Sequence, residues 1–454
     1  MSSKSHEMDL CSGSLWKKIF VYSVPLMFTN ILQVLFNMSD VAVVGKFAGA
    51  IALGSVGSTS ILVTLFTGIL LGLASGVNAL TALHIGSKDD EGLKRTVHTA
   101  VIICLAGGIL ITVFGILFSH NILALMNTKD ELIDGAVLYL RIYLLGMPAL
   151  GLYNFGNAVL SAAGDTKRPL YYLAFAGVVN VILNLFFVIV CHLGVSGVAL
   201  ASMISQFISA FLILRALLTG KEKYCLRLSE IRFDKRKAVG ILQIGIPSAF
   251  QYSLFAFANL FVQSSVNSFD HVLVEGNSAA ANADPLVYDM MAAFYTACSS
   301  FIAQNFGARK KKRILQTYLI CLFYSFITSL VLGVGIYLAK YPFLYLFTSD
   351  KAVVEAGITR LSIMALSYSA SAFMDASIAA SRGLGKTAVP TFVVVMGSCV
   401  FRIIWIYTIF AYFHTIQSLY ILYVFSWGIT AIAENIYFFH VYRHTLTGKT
   451  ESHL

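Results

Sequence analysis

Apolar runs long enough to cross a membrane follow one another along almost the whole chain, and no other property of the sequence narrows its fold as far. A helix needs roughly 20 apolar residues to cross a hydrocarbon layer of about 30 Å, and it bonds every backbone N–H and C=O within its own segment. Read in such windows, the sequence predicts helices near 19–44, 53–84, 96–118, 133–163, 169–191 and 195–218, then 239–268, 274–306, 313–339, 354–382, 390–412 and 416–442. Several exceed the minimum span, which implies tilt or extension into water. The chain is 58% hydrophobic and only 12% charged, whereas soluble domains carry about 25% charged residues. The predicted class is an all-α integral membrane protein of about twelve transmembrane helices, not a soluble enzyme. The first run reaches Val44 with no small-residue cleavage site, so it is expected to be a retained helix and not a signal peptide.

A formal net charge of +10 would suggest nucleic-acid binding in a soluble chain. Here 24 of the 32 Lys and Arg fall in alternate gaps between the runs: from Lys4, Lys17 and Lys18, through Lys88, Lys94, Arg95, Lys167, Arg168, the stretch 221–237 and Arg309 to Arg313, to Arg382, Lys386, Arg443 and Lys449. The other gaps hold Lys46, Lys129, Lys340 and Lys351, and Arg141, Arg215, Arg360 and Arg402 lie inside runs. Excess positive charge marks the cytoplasmic side, so both termini are predicted to be cytoplasmic and no nucleic-acid partner is expected.

The polar stretch 219–237 is read as a cytoplasmic linker between an N-terminal six-helix lobe, 1–218, and a C-terminal six-helix lobe, 238–454. An internal repeat supports the division. Pro25 and Asn37 recur as Pro247 and Asn259 at an offset of 222, and Gly86, Gly164, Thr166 and Pro169 recur as Gly307, Gly385, Thr387 and Pro390 at 221. An even number of spans in each half makes the repeat parallel, about an axis along the membrane normal, which suits two lobes rocking to give alternating access.

Polar residues inside the spans are expensive and point to function. Asn30, Gln33, Asn37 and Asp40 share one helical face, Asn154 and Asn157 another, and Asn180 and Asn184 a third. Together they could form an oxygen-rich pocket that suits a proton or Na⁺ and not a soft transition metal; asparagine pairs of this kind also serve as interhelical glue. In the second half Tyr368, Ser371 and Asp375 follow a face that continues to Arg382, and Asp289 and Glu434 are further intramembrane acids. Arg402 is a possible partner for any of these acids, and an ion pair of Asp375 with Arg402 or Arg382 is the purely structural alternative. The seven cysteines have no C-x-x-C spacing and read as packing residues, with the neighbours Cys191 and His192 too few for a metal site. Ala380 stands where a P-loop ending in Gly385, Lys386 and Thr387 needs its first glycine, so no ATPase is predicted. No cofactor and no metal are expected beyond the coupling ion.

The segments FNMSDVAVVG around Asp40, GDTKRP (Gly164 to Pro169) ahead of NVILN (Asn180 to Asn184), QNFGA (Gln304 to Ala308) and SRGLGKTAVP (Ser381 to Pro390) resemble the multidrug and toxic compound extrusion (MATE) family. The resemblance runs from Pro25 to the last helix. It implies a secondary antiporter of two six-helix lobes in a prokaryotic plasma membrane, exporting amphipathic, often cationic organic compounds in exchange for H⁺ or Na⁺. It also implies a first-lobe cation site of Asp40, Asn157, Asn180 and Ser202, with Asn184 beside it, and makes Asp375 the acid of the second lobe. Asp289, Gln33, Asn37, Asn154 and Asn259 are further substrate-site candidates. Asn184 replaces a second acid that some members carry, and the seventh helix offers Gln251, Asn259 and Gln263 where some Na⁺-coupled members have Glu. The expected partners are small organic substrates and membrane lipid, and the protein is expected to be a monomer. Rival readings are a flippase for lipid-linked sugars, which would carry extra spans and a strongly basic central cavity, and a channel, which would need no coupled ion.

Overall fold

A computed structural model describes residues 8–445, so Lys4, Lys449 and both chain ends lie outside the described residues. Those residues form helices and turns with no strand. The helices long and apolar enough to cross a membrane are α1 (Leu15–Ala48), α2 (Ala50–Ser87), α3 (Asp90–Leu125), α5 (Lys167–Val190), α6 (Gly194–Thr219), α7 (Lys235–Val266), α8 (His271–Gly307), α9 (Lys311–Leu338), α10 (Lys351–Gly383), α11 (Ala388–Phe413) and α12 (Ile416–His444). The remaining one, α4, is a pair, Asp130–Leu144 and Met147–Ala162, bent by 45° where Gly146 and Pro148 interrupt it. Every predicted run thus corresponds to a helix, and the chain is a multi-pass membrane protein.

The chain forms two compact units. One holds Phe28–Ala249, and the other holds Leu10–Met27 together with the residues from Phe250 onward. The dividing points therefore fall inside α1 and α7 and not in the linker at 219–237. They fall at equivalent positions of the repeat, since Phe28 and Phe250 are 222 residues apart. Pro25 and Pro247 sit just before these points, and each removes a backbone donor from its helix.

In the first unit α2 packs on α3 and α4, α4 on α3 and α6, and α5 on α6. Its core includes Val77, Val97, Tyr153, Phe155, Val159 and Ile213. The first part of α7 joins this unit where α2 carries small residues: a Cβ on Gly72 would lie 2.3 Å from the Ala249 nitrogen, and one on Gly76 would lie 2.3 Å from the Ile241 carbonyl oxygen. In the second unit α10 is the central helix, packed on α8, α9 and α12. The first part of α1 joins that unit through the Tyr22 hydroxyl, which donates to Ser300 Oγ at 3.0 Å, and through the edge-on contact of Tyr22 with Phe301.

The repeat is visible in turn chemistry as well. Gly164 and Gly385 both adopt positive φ, 89° and 73°. Each follows the same helix-ending pattern, in which Gly164 and Asp165 N–H bond the Ser161 and Leu160 carbonyls, while Gly385 and Lys386 N–H bond those of Arg382 and Ser381. Left-handed backbone at that position favours glycine, which is why this residue recurs in both halves.

Candidate functional site

In the first unit, α1, α5 and α6 bring together one carboxylate, two amides and a hydroxyl. Asn184 donates to one oxygen of Asp40, and Ser202 Oγ donates to the other at 2.9 Å. Asn184 also donates to Asn180 Oδ1 at 3.2 Å, and Asn180 donates to Ser202 Oγ at 3.4 Å. The i,i+4 spacing of Asn180 and Asn184 places both amides on the face of α5 that meets Asp40. Just beyond Asn184, α5 widens into a π-helical turn at Phe186–Val190. Asn184 is fully buried, and its Oδ1 has no hydrogen-bond partner. A buried acceptor beside a carboxylate and without a donor is costly unless a cation or a proton donor answers it.

The other first-half candidates lie apart from this ring. Asn157 accepts from Ser161 Oγ at 3.2 Å and has no bond to Asp40. Asn154 is buried with its Nδ2 unpartnered. Gln33 and Asn37 are exposed. Ser202, which no spacing in the sequence marks, closes the ring.

The second unit encloses a cavity of about 590 Å³ between α7, α8, α10, α11 and α12. That volume suits a small organic molecule. Asp375, Asp289 and Asn259 all line it, as do Asp284, Arg360, Arg382, Arg402 and the aromatic rings of Tyr288, Tyr423 and Trp427. Asp284 and Arg360 are the pair that sequence reasoning missed. Arg360 Nη2 meets Asp284 Oδ2 at 2.5 Å, the Tyr368 hydroxyl donates to Asp284 Oδ1 at 2.5 Å, and Arg360 Nη1 donates to Asn277 Oδ1 at 2.7 Å. The signal available was Arg360 itself, a guanidinium inside a span that requires a counter-charge. Nothing in local spacing says that it comes from a residue 76 positions earlier.

Arg402 is not the partner of an acid, contrary to one expectation. It donates from Nη1 to Asn259 Oδ1 at 2.9 Å and from Nε to Ser426 Oγ at 3.3 Å, and it stacks 4.5 Å from the Tyr423 ring centre. Asp375 sits in the cavity wall and forms no ion pair within 4 Å of Arg402 or Arg382, although the Arg382 charge acts on it. Glu434 on α12 is fully buried, with neither carboxyl oxygen hydrogen-bonded. Among the described residues no cluster of His, Cys, Asp and Glu could hold a metal ion.

With this geometry in hand, comparison with known proteins gives a consistent result. The MatE family profile matches twice, at residues 25–186 and 247–408, again 222 residues apart. The chain is 30% identical over 307 residues to the probable multidrug resistance protein YpnP of Bacillus subtilis, covering 67% of this chain and 68% of that one. It is 28% identical over 364 residues to YoeA of the same organism, also named a probable multidrug resistance protein, covering 78% of each. Among solved structures, a MOP superfamily transporter from Pyrococcus furiosus superposes with a TM-score of 0.91 at 22% identity, covering 99% of this chain and 100% of that one. The paired six-helix halves, the doubled profile and these relatives make the chain a member of the MatE family of membrane transporters.

Proposed function

We propose that this protein is a secondary antiporter of a bacterial cell membrane that exports amphipathic, often cationic organic compounds in exchange for H⁺ or Na⁺, with Asp40 at the coupling site. The observation that carries the reading is the ring of Asp40, Asn180, Asn184 and Ser202 with its orphaned amide oxygen. Its donors are hard oxygens of the kind that take a proton or Na⁺. A proton on Asp40 would turn an acceptor into a donor, and Na⁺ would compete with the N–H and O–H groups for the same oxygens; either rearranges the contacts among α1, α5 and α6. Such an ion drives transport only if it binds one conformation more tightly than the other. The names of the relatives, which refer to multidrug resistance, support the drug-export side of the reading.

The test uses the purified protein in proteoliposomes with pH and Na⁺ gradients imposed separately. Asp40→Asn keeps the size and the hydrogen-bonding capacity but fixes the site as neutral. Normal insertion, retained drug binding and loss of gradient-driven export are expected. Export in that variant with unaltered ion dependence would move coupling elsewhere, and wild-type efflux under neither gradient would remove the antiport reading altogether.

A further inference from the structure

The repeat relates α1 and α5 to α7 and α11, so the same pair of helices can be compared in the two halves, although the residues that meet there do not stand at matching repeat positions, Asn259 answering to Asn37 and not to Asp40. In the first, a carboxylate on α1 meets two amides on α5. In the second, an amide on α7, Asn259, meets a guanidinium on α11, Arg402. Between the same two helices the chemistry changes from an anionic centre to a cationic one.

Arg402 is only 1% exposed and lines the 590 Å³ cavity, yet among the described residues no carboxylate lies within ion-pair distance of it. Among the described residues its partners are two neutral oxygens and one aromatic face. Arg382, further along the same wall, is only half-buried and its charge acts on Asp375, although among the described residues the two form no ion pair. Arg360 is matched by Asp284, which leaves Arg402 as the fully buried cavity arginine with no acid beside it among the described residues. Burying a charge without a counter-charge costs several kcal/mol, and the guanidinium fork is shaped to hold a planar or tetrahedral oxyanion.

We propose that this cavity binds an aromatic organic ligand through an anionic group, a carboxylate or a phosphate, with Arg402 as the counter-charge. The rings of Tyr288, Tyr423 and Trp427 supply flat apolar walls for the aromatic part. Asp289 and Asp375 line the same space, so a zwitterion finds an acid for its cationic end as well. The inference rests on the transporter reading and narrows its substrate class, since a site for cations alone gives no reason for a fully buried arginine without a counter-charge in its wall.

The test measures binding to the full-length protein in lipid nanodiscs with flavin mononucleotide and riboflavin. These probes share one fluorescent ring system and differ by a phosphate. The wild type is expected to bind the phosphorylated probe about tenfold or more tightly than the neutral one, as charge-assisted hydrogen bonds imply. Arg402→Gln should bring that ratio close to one while leaving riboflavin binding in place, and Arg402→Lys should keep part of it. A merely structural clamp between α7 and α11 would lower thermal stability in Arg402→Gln without moving the ratio. If Arg402→Gln fails to insert, the double variant Arg402→Met with Asn259→Leu removes the polar pair together and is read in the same way. Nanodiscs with and without phosphatidylglycerol separate two sources of the anion. Competition by that lipid in the wild type but not in Arg402→Gln identifies a headgroup, and its absence identifies a free organic anion. No preference in the wild type, or a preference unchanged in Arg402→Gln, overturns the proposal. A wild type that shows the preference but exports under neither gradient would count only against the antiport reading.

Discussion

At the scale of single residues, the two halves use charge differently, and the differences give direct tests. The Asp284–Arg360 pair is held by Tyr368 and Asn277 as well, so removing one member strands a charge that the other was placed to answer. Arg360→Met is expected to destabilise the protein by roughly 3 kcal/mol, the lower end of the range for breaking a buried pair, because Asp284 keeps some access to the cavity. Adding Asp284→Leu should recover most of the loss in a thermal-unfolding measurement; a double variant no more stable than the single one would mean that the pair does more than neutralise itself. Asp375 has no ion pair of that kind, and Asp375→Asn should weaken efflux at unchanged membrane levels. Equal efflux at equal expression would leave it a packing residue. These outcomes also mark where the sequence ran out. Asn180 and Asn184 could be read as neighbours because four residues make one helical turn, and Asp40 because a carboxylate in a span is costly. The Arg402–Asn259 and Arg360–Asp284 contacts join residues 143 and 76 positions apart, and no local spacing encodes such a pairing.

Elements are held by caps and by close helix contacts, and both were partly legible. The aspartates before α3 and α7 act as N-caps: Asp89 accepts from Gly92 N–H at 2.9 Å, and Asp234 accepts from Arg236 and Lys237 N–H at 2.9 and 3.2 Å. Those backbone hydrogen bonds hold both carboxyls below the ordinary carboxylate range, with the Gly92 N–H the larger cause for Asp89 and the Lys237 N–H for Asp234. A depressed value means that the stabilisation is complete above the unfolded carboxylate's pKa of about 3.9 and fades as pH falls through the lower folded one. Hydrogen exchange at Gly92, Arg236 and Lys237, corrected for intrinsic rates, should therefore be flat from pH 8 to 5 and accelerate only below about pH 4. Acceleration near neutral pH would exclude this origin. The approach of α2 to the first part of α7 was not legible, because glycines at 72 and 76 look like helix weakeners until the helix that they admit is known. Gly72→Val would drive carbon into the Ala249 backbone, where nothing can rotate away, and should cost at least about 1–3 kcal/mol.

For the whole molecule, the parity of the spans is fixed by contacts inside each unit, while its absolute direction rests on charge. Arg313, at the start of α9, donates to the carbonyls of Ser12 and Gly13 at 3.1 and 3.0 Å, so the segment before α1 and the gap before α9 lie on one side. Lys94, near the start of α3, pairs with Glu230 at 2.6 Å, and the Arg227 N–H donates to His98 at 3.0 Å, so the gap before α3 shares a side with the linker before α7. Those are the gaps that collect most of the lysines and arginines, and the cytoplasmic leaflet is where such residues are retained during insertion. With the basic gaps on the cytoplasmic side, as charge predicts, Cys191, between α5 and α6, should face outward; it is the exposed one among the cysteines, five others being buried and Cys11 intermediate. A membrane-impermeant maleimide added to intact cells should label the protein, and Cys191→Ser should abolish most of that labelling. In agreement, a reporter fused after Arg313 should read cytoplasm and one near Lys129 the exterior. Labelling that appears only after the membrane is opened, together with reversed reporters, would invert the orientation while leaving every contact within the two units as it is.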